Sequence, residues 1–449
     1  MSITPPIFAS RNIFSNFILM TLCAQFAFSV LAMKGILLPQ MLELWAISKT
    51  QFGLLMTIYG VVHNIFYVGL SWAQDRFSPR VLIPANMVLG GITTFFLGQT
   101  SDFQTLCLLF FMLAMWCEGA FWPAILSSVR KSTAAEHQGK IFGVFEGGRG
   151  IVELFQNALT VALYATLGYS LLGLELAFKC NAIIMILLGI VAWFRLPGES
   201  LLKSTGDGKT KMTEVVEGMK LSLKLPEVWL ASLTGFFIYF VYTSLPFYIT
   251  YLNDLHTLPV LAVSIFGVVA TSAGRIGSAF PAGFIAAKFF GGTSGGMRAG
   301  LLAVVLLAAL MSLLPASAGF SWVAMAIMMP LILIVFFMRA LYFAPYGEMG
   351  LPPRFSGSVI AIAAFVVYLP SSFAYLLWGY LLDSFPGETG YRYLFGILAC
   401  AALLGALVAM QLRRRISTDA NQRIAEKVSE LDRKLGLSGE EKSFSSPSN

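Results

Sequence analysis

The segment FEGGRGIVELFQN, residues 145–157, holds the densest chemistry in the chain. Glu146 and Arg149 stand three residues apart and Arg149 and Glu153 four apart, so on a helix all three side chains share one face. A guanidinium between two carboxylates can serve two ends. It can grip an anionic or hydroxyl-rich solute while a glutamate takes up a coupling proton, or the triad can neutralise itself and pin its helix to a neighbour. Gly143, Gly147 and Gly150 on the same segment let another backbone come close.

These charges matter because of where they sit. The chain of 449 residues is 57% hydrophobic and 12% charged, with a mean hydropathy of +0.76, a composition whose solvent is lipid. A bilayer core of about 30 Å takes roughly 20 apolar residues per helical crossing, and twelve such segments lie between Phe14 and Leu412. The first is too long for a signal h-region and has no small-residue cleavage site, so no cleavable leader is expected. With the N-terminus inside, Arg76, Arg80, Arg130, Lys131, Lys140, Lys288, Arg298, Arg354, the cationic stretch from Arg195 to Lys224 and the tail collect on the cytoplasmic side. Only Lys49, Lys179 and Arg392 fall on the other. The formal charge of +7 therefore reflects topology, and no nucleic-acid partner is needed to explain it.

Ionised groups inside a bilayer are costly and turn toward a cavity or a partner. Eight stand within the spans: Lys34, Glu118, Glu146, Arg149, Glu153, Arg275, Arg339 and Glu348. Lys34 can meet an anion or snorkel to the interface, and Glu118, Arg275 and Arg339 can line a path or pair structurally. Glu348 and Asp383, near the membrane edges, read as helix latches. His63 can titrate near neutral pH or serve as a hydrogen-bonded structural residue. Tyr239, Tyr242, Trp122 and Tyr346 can stack on a sugar-like solute. The five cysteines lack metal-ligand spacing, and neither GxxxxGK[ST] nor HExxH occurs, so ATP-driven transport, an intramembrane metalloenzyme and any cofactor are unexpected.

The polar stretch after Leu196 divides the spans six and six. The expected organisation is an N-terminal bundle over residues 1–198, a cytoplasmic linker over 199–225, a C-terminal bundle over 226–415 and a cytoplasmic tail over 416–449. An internal echo supports the division: AFWPAILSSVRKSTAAEHQGKIFG around Pro123 and YFAPYGEMGLPPRFSGSVIA around Pro345 each follow an aromatic and proline with basic residues and a glycine. The tail places Ile424, Val428, Leu431 and Leu435 at helical spacing, which suits a solvated tail or a short amphipathic helix.

Between the second and third spans, WAQDRFSPRVLIPA resembles the signature loop of the major facilitator superfamily, a glycine followed by Asp-Arg and then Gly-Arg. The corresponding residues are Ser71, Asp75, Arg76, Ser78 and Arg80, with serine in place of both glycines. The resemblance implies a latch of Asp75, Arg76 and Arg80 that holds cytoplasmic helix ends together and breaks as the bundles rock; the alternative is that these charges merely mark a solvated turn. Gly283, Ala287 and Lys288 form the degraded copy in the second half. DRFSPRVLIPA, FWPAILSSVRK and the Gly139 to Gly150 stretch further resemble the organophosphate:phosphate antiporter branch. That branch binds phosphate with arginines of helices one and seven and has a histidine in helix five. Those positions fall here near Leu31, Tyr242 and Arg149, with Lys34 about one turn beyond Leu31, so the two-arginine clamp is absent.

The expected protein is an all-α membrane protein of twelve transmembrane helices in two pseudo-symmetric six-helix bundles. It would be a monomeric inner-membrane secondary transporter, and no enzyme, moving a small hydrophilic anion such as a sugar acid or sugar phosphate. Lys34, Glu118, Arg149, Tyr242, Arg275 and Arg339 would meet the solute, and Glu146 and Glu153 would carry the coupling proton. Alternatives are organophosphate:phosphate antiport, with phosphate as the coupling ion, and a non-transporting sensor of the same fold that signals through its tail.

Overall fold

The computed structural model describes residues 8, 10–69, 77–130, 132–133, 138–197, 220, 223–256, 258–349, 353–417, 426 and 429. Among them every regular element is helical, and the helices form twelve membrane-spanning units in two six-helix bundles. Spans one to six are Arg11–Trp45, Lys49–Gly69, Pro79–Leu97, Phe103–Val129, Gln138–Thr166 and Leu171–Arg195. Spans seven to twelve are Pro226–Leu255, Val260–Phe290, Thr293–Leu313, Ser321–Leu341, Pro353–Ser384 and Glu388–Ser417. Ten of the twelve pass a strict test of length and apolarity among the described residues, counting the bent first span as one. Spans two and five are the two that do not pass it, and span five is the one that carries Glu146, Arg149 and Glu153.

Side-chain caps fix several helix starts. Ser10 accepts from the amide of Ile13 at 3.3 Å, Asp102 from that of Thr105 at 2.8 Å and Ser170 from that of Gly173 at 3.3 Å. Span one bends by about 40° between Phe26 and Ser29, and Leu37 leaves helical geometry two residues before Pro39, which cannot donate to the preceding turn. Pro246 likewise divides span seven after Thr243, and Pro370 lies in the single-turn 3-10 break Leu369–Ser372 of span eleven. Spans four and eight each widen into a π turn, Met115–Gly119 and Val269–Ala273. In span four the widening sits just before Pro123, whose missing N–H would have paired with Gly119, so the helix loosens there.

The two bundles meet most tightly at the end opposite the chain termini. Lys49 of span two pairs with Asp254 of span seven at 2.6 Å, and Tyr391 of span twelve donates to the same carboxylate at 2.8 Å. Asp383 of span eleven accepts from the Thr50 amide at 2.7 Å and so caps span two across the bundle boundary, the latching role read for it from sequence. The Lys49–Asp254 pair is partly exposed and contributes little by itself. Close backbone packing carries the seal: Gly53 and Gly60 of span two lie against the backbone of span eleven at Tyr375–Leu376 and Ser371, and Gly379 returns the contact against Lys49. At the terminal end, Arg80 donates to the Trp193 carbonyl at 2.8 Å and Arg415 stands 3.5 Å from Glu227, each pair joining spans of one bundle. Asp75 and Arg76, the other two members of the expected latch, lie outside the described residues, as do most of the 199–225 linker and the tail beyond Ser417.

A Cβ at position 53 would stand 2.6 Å from the Leu376 Cα, whereas one at Gly143 meets open space. Gly53→Ala is therefore expected to destabilise the detergent-purified protein by about 1–3 kcal/mol of overpacking, lowering its Tm, while Gly143→Ala leaves Tm unchanged or raises it.

Candidate functional site

A cavity of about 200 Å³ lies between the bundles. The irregular backbone described above surrounds it. Phe28 stands at the bend of span one, Glu118 in the π turn of span four, Tyr242 just before the break of span seven, and Tyr368 and Ser371 at that of span eleven. Arg275 follows the π turn of span eight. Non-helical backbone at membrane depth is tolerated where it faces a cavity, and here it re-aims polar side chains into one.

The charges fall into three groups. In the first, Arg149 donates to Glu146 at 2.9 Å, and Arg275 crosses from the other bundle to both Glu146, at 3.1 Å, and Glu153, at 2.6 Å. Arg149 also stacks on Trp122, its guanidinium carbon 4.7 Å from the ring centroid. The triad read from the helix spacing is thus a four-member network, with Glu153 held by Arg275. Asn157 of span five, bonded to Ser272 of span eight at 2.8 Å, extends the same junction.

In the second group the Tyr59 hydroxyl donates to Glu118 Oε1 at 3.1 Å, and His63 Nδ1 lies 3.2 Å from Glu118 Oε2. The third consists of two cations set among phenol rings. Lys34 donates to the Tyr375 hydroxyl at 2.8 Å and sits 4.3 Å from that ring's centroid. Arg339 lies 3.8 Å from the centroid of Tyr242 and 5.8 Å from that of Tyr239. Among the described residues neither Lys34 nor Arg339 has a carboxylate within 4 Å, and Arg339 Nε has no hydrogen-bond partner.

Lys34, Glu118, Arg149, Glu153, Tyr242, Arg275 and Arg339 all line this cavity, and Glu146 closes the network beside it. Glu348 stands apart, exposed at the end of the helix Ala344–Glu348, and Tyr346 turns away to bond Ser232 at 2.8 Å. Removing Glu348 from the balance leaves four cations facing three carboxylates. The lining also includes Gln25, Tyr59, His63, Tyr368 and Tyr375. The sequence alone offered no signal for Tyr59 or Tyr375; for His63, its place in an apolar span was the signal.

Twelve helices in two bundles around a central polar cavity define a multi-pass membrane transporter. The Major Facilitator Superfamily model matches residues 17–374, and the chain belongs to that family. It is 29% identical over 417 residues to the inner membrane protein YihN of Escherichia coli K12, covering 91% of this chain and 97% of that one. It is 24% identical over 366 residues to the inner membrane protein YqcE of the same organism, covering 81% and 85%. Among solved structures, a bacterial homologue of the human lysosomal transporter Spinster, inward-facing and unoccupied, superposes with a TM-score of 0.73 at 17% identity over 92% of this chain and 99% of that one. The nucleoside transporter NupG gives a TM-score of 0.68 at 13% identity over 90% and 99%. At those identities the likeness is one of fold.

Arg275 is the single cross-bundle partner of Glu153 among the described residues. Removing one member of a buried pair costs about 3–5 kcal/mol because its partner is left charged. Arg275→Gln and Glu153→Gln are each expected to lower stability, and the double variant to lose less than their sum, with a coupling of roughly 0.5–3 kcal/mol in a double-mutant cycle followed by thermal unfolding.

Proposed function

We propose that this chain is a secondary active transporter that carries a small hydrophilic anion, a sugar acid, sugar phosphate or related organic anion, together with a proton. The observation that carries this reading is the pair of cavity cations, Lys34 and Arg339, that lack a carboxylate partner among the described residues. Two positive charges at membrane depth are costly unless a counter-charge arrives, and an anionic solute is that charge. The surrounding tyrosines Tyr59, Tyr239, Tyr242, Tyr368 and Tyr375 offer rings and hydroxyls to a polyhydroxylated body. Arg149 and Arg275, already paired with glutamates, supply field more than a free grip.

Transport would proceed by alternating access. The seal at the end opposite the termini, with Lys49, Asp254 and Asp383, corresponds to an inward-facing state if both termini are cytoplasmic. The positive-inside distribution favours that orientation, and the inner membrane naming of both relatives favours that membrane. Rocking toward the outward-facing state must part span two from span eleven and carry Lys34 away from Tyr375. A solute that takes over the Lys34 ammonium would lower the cost of that step.

The test is uptake into proteoliposomes under an imposed inward proton gradient, with radiolabelled glucuronate, glucose 6-phosphate, inorganic phosphate and uncharged xylitol as probes. An anionic probe should accumulate, and Lys34→Gln or Arg339→Gln should weaken its apparent affinity by about 10- to 150-fold, the equivalent of a lost charge-assisted bond of roughly 1.5–3 kcal/mol. Phosphate exchange without a proton gradient would favour the antiport reading, in which Lys34 and Arg149 replace the missing clamp. Accumulation of xylitol alone, unaffected by either variant, would contradict the proposal.

A further inference from the structure

The three carboxylates at the cavity are held in two different ways. Glu146 accepts from Arg149 and Arg275, and Glu153 accepts from Arg275 at 2.6 Å, so protonating either one gives up a charge-assisted bond that joins the bundles or braces the joint. Glu118 stands in the π turn of span four, only 9% exposed, with no lysine or arginine nitrogen within 4 Å of it among the described residues. Its oxygens meet the Tyr59 hydroxyl and the imidazole of His63 instead. The cavity also brings to this pair Tyr239 from span seven and Tyr368 from span eleven, whose ring meets His63 edge-on at 5.3 Å, and the neighbouring Cys117 is buried in the same π turn. Lys34, Arg149, Arg275 and Arg339 share the cavity at greater distance.

We propose that Glu118 is the proton-binding group of this cavity, with His63 as its positioning residue, and that the Glu146–Arg149–Glu153–Arg275 network stays ionised as a junction between the bundles. The proposal rests on reading the cavity as a proton-coupled anion site. The only bond formed is O–H on Glu118, whose Oε2 lies 3.2 Å from His63 Nδ1; the proton comes from solution and returns there. The charge balance then links proton and solute. Four cations and three ionised carboxylates leave one positive charge, which suits a monoanion. With Glu118 protonated two remain, which suits a dianion such as a phosphomonoester. A proton on Glu118 thus admits the second negative charge of the solute.

The test is infrared difference spectroscopy on the full-length protein in lipid, with no solute added, as the pH is lowered from about 8 to about 5. Wild type should gain a protonated-carboxyl band that Glu118→Gln lacks, that Glu146→Gln and Glu153→Gln retain, and that Glu118→Asp restores at a shifted frequency. His63→Asn should keep the band but shift its frequency, because the carboxyl loses its imidazole neighbour. A band that persists in Glu118→Gln, or that vanishes in Glu153→Gln, would overturn the assignment, as would a wild type with no band. Because no solute is present, failure to transport an anion leaves this readout untouched, and the two readings fail separately.

Discussion

An ionised side chain in the hydrocarbon layer must find a counter-charge, a strong dipole or water, and that constraint shapes the interior of this protein more than any packing preference. Arg275 meets it by reaching from the C-terminal bundle to two glutamates of span five. Arg149 meets it with Glu146 and the face of Trp122. Among the described residues Lys34 and Arg339 meet it with phenol rings and a hydroxyl and no carboxylate, a weaker solution, and the proposed anion would complete it. The same interior thus contains a satisfied junction and an unsatisfied site, and the difference between them separates structure from proposed function.

Broken helices make that interior possible. A straight helix presents a narrow stripe to its neighbours, whereas the bend of span one, the π turns of spans four and eight and the prolines of spans seven and eleven rotate individual side chains inward. Glu118 and Arg339 occupy the equivalent spans of the two halves, five and six residues before Pro123 and Pro345, so the repeat places opposite charges across one cavity. The glycines at 53, 60 and 379 hold spans two and eleven close enough to shut the cavity off from the end opposite the termini.

Much of this was legible in the sequence. Apolar run length gave the twelve spans, and the polar stretch after Leu196 gave the six-and-six division, because both depend on local composition. The seven substrate and proton residues other than Glu146 were read as intramembrane charges or, for Tyr242, by position, and all of them line the cavity. Pairing was less legible. Helix spacing shows that Glu146 and Arg149 can meet, but Glu153 bonds a guanidinium 122 residues away, which no local pattern encodes. The His63–Glu118 approach between spans two and four, and the Lys34–Tyr375 bond across 341 residues, were hidden for the same reason. Glu348 misled because hydropathy places it in a span while the short helix Ala344–Glu348 leaves it exposed.

Lys34 and Arg339 are proposed to form one anion site. Equilibrium binding tests it without dependence on coupling: the thermal stabilisation of purified protein by glucuronate, glucose 6-phosphate and phosphate, compared among wild type, Lys34→Gln, Arg339→Gln and an exposed control, Arg392→Gln. An anion should raise Tm in wild type and in the control, and either cavity variant should abolish the rise while folding normally on its own. Equal stabilisation in all four proteins would contradict the proposed site.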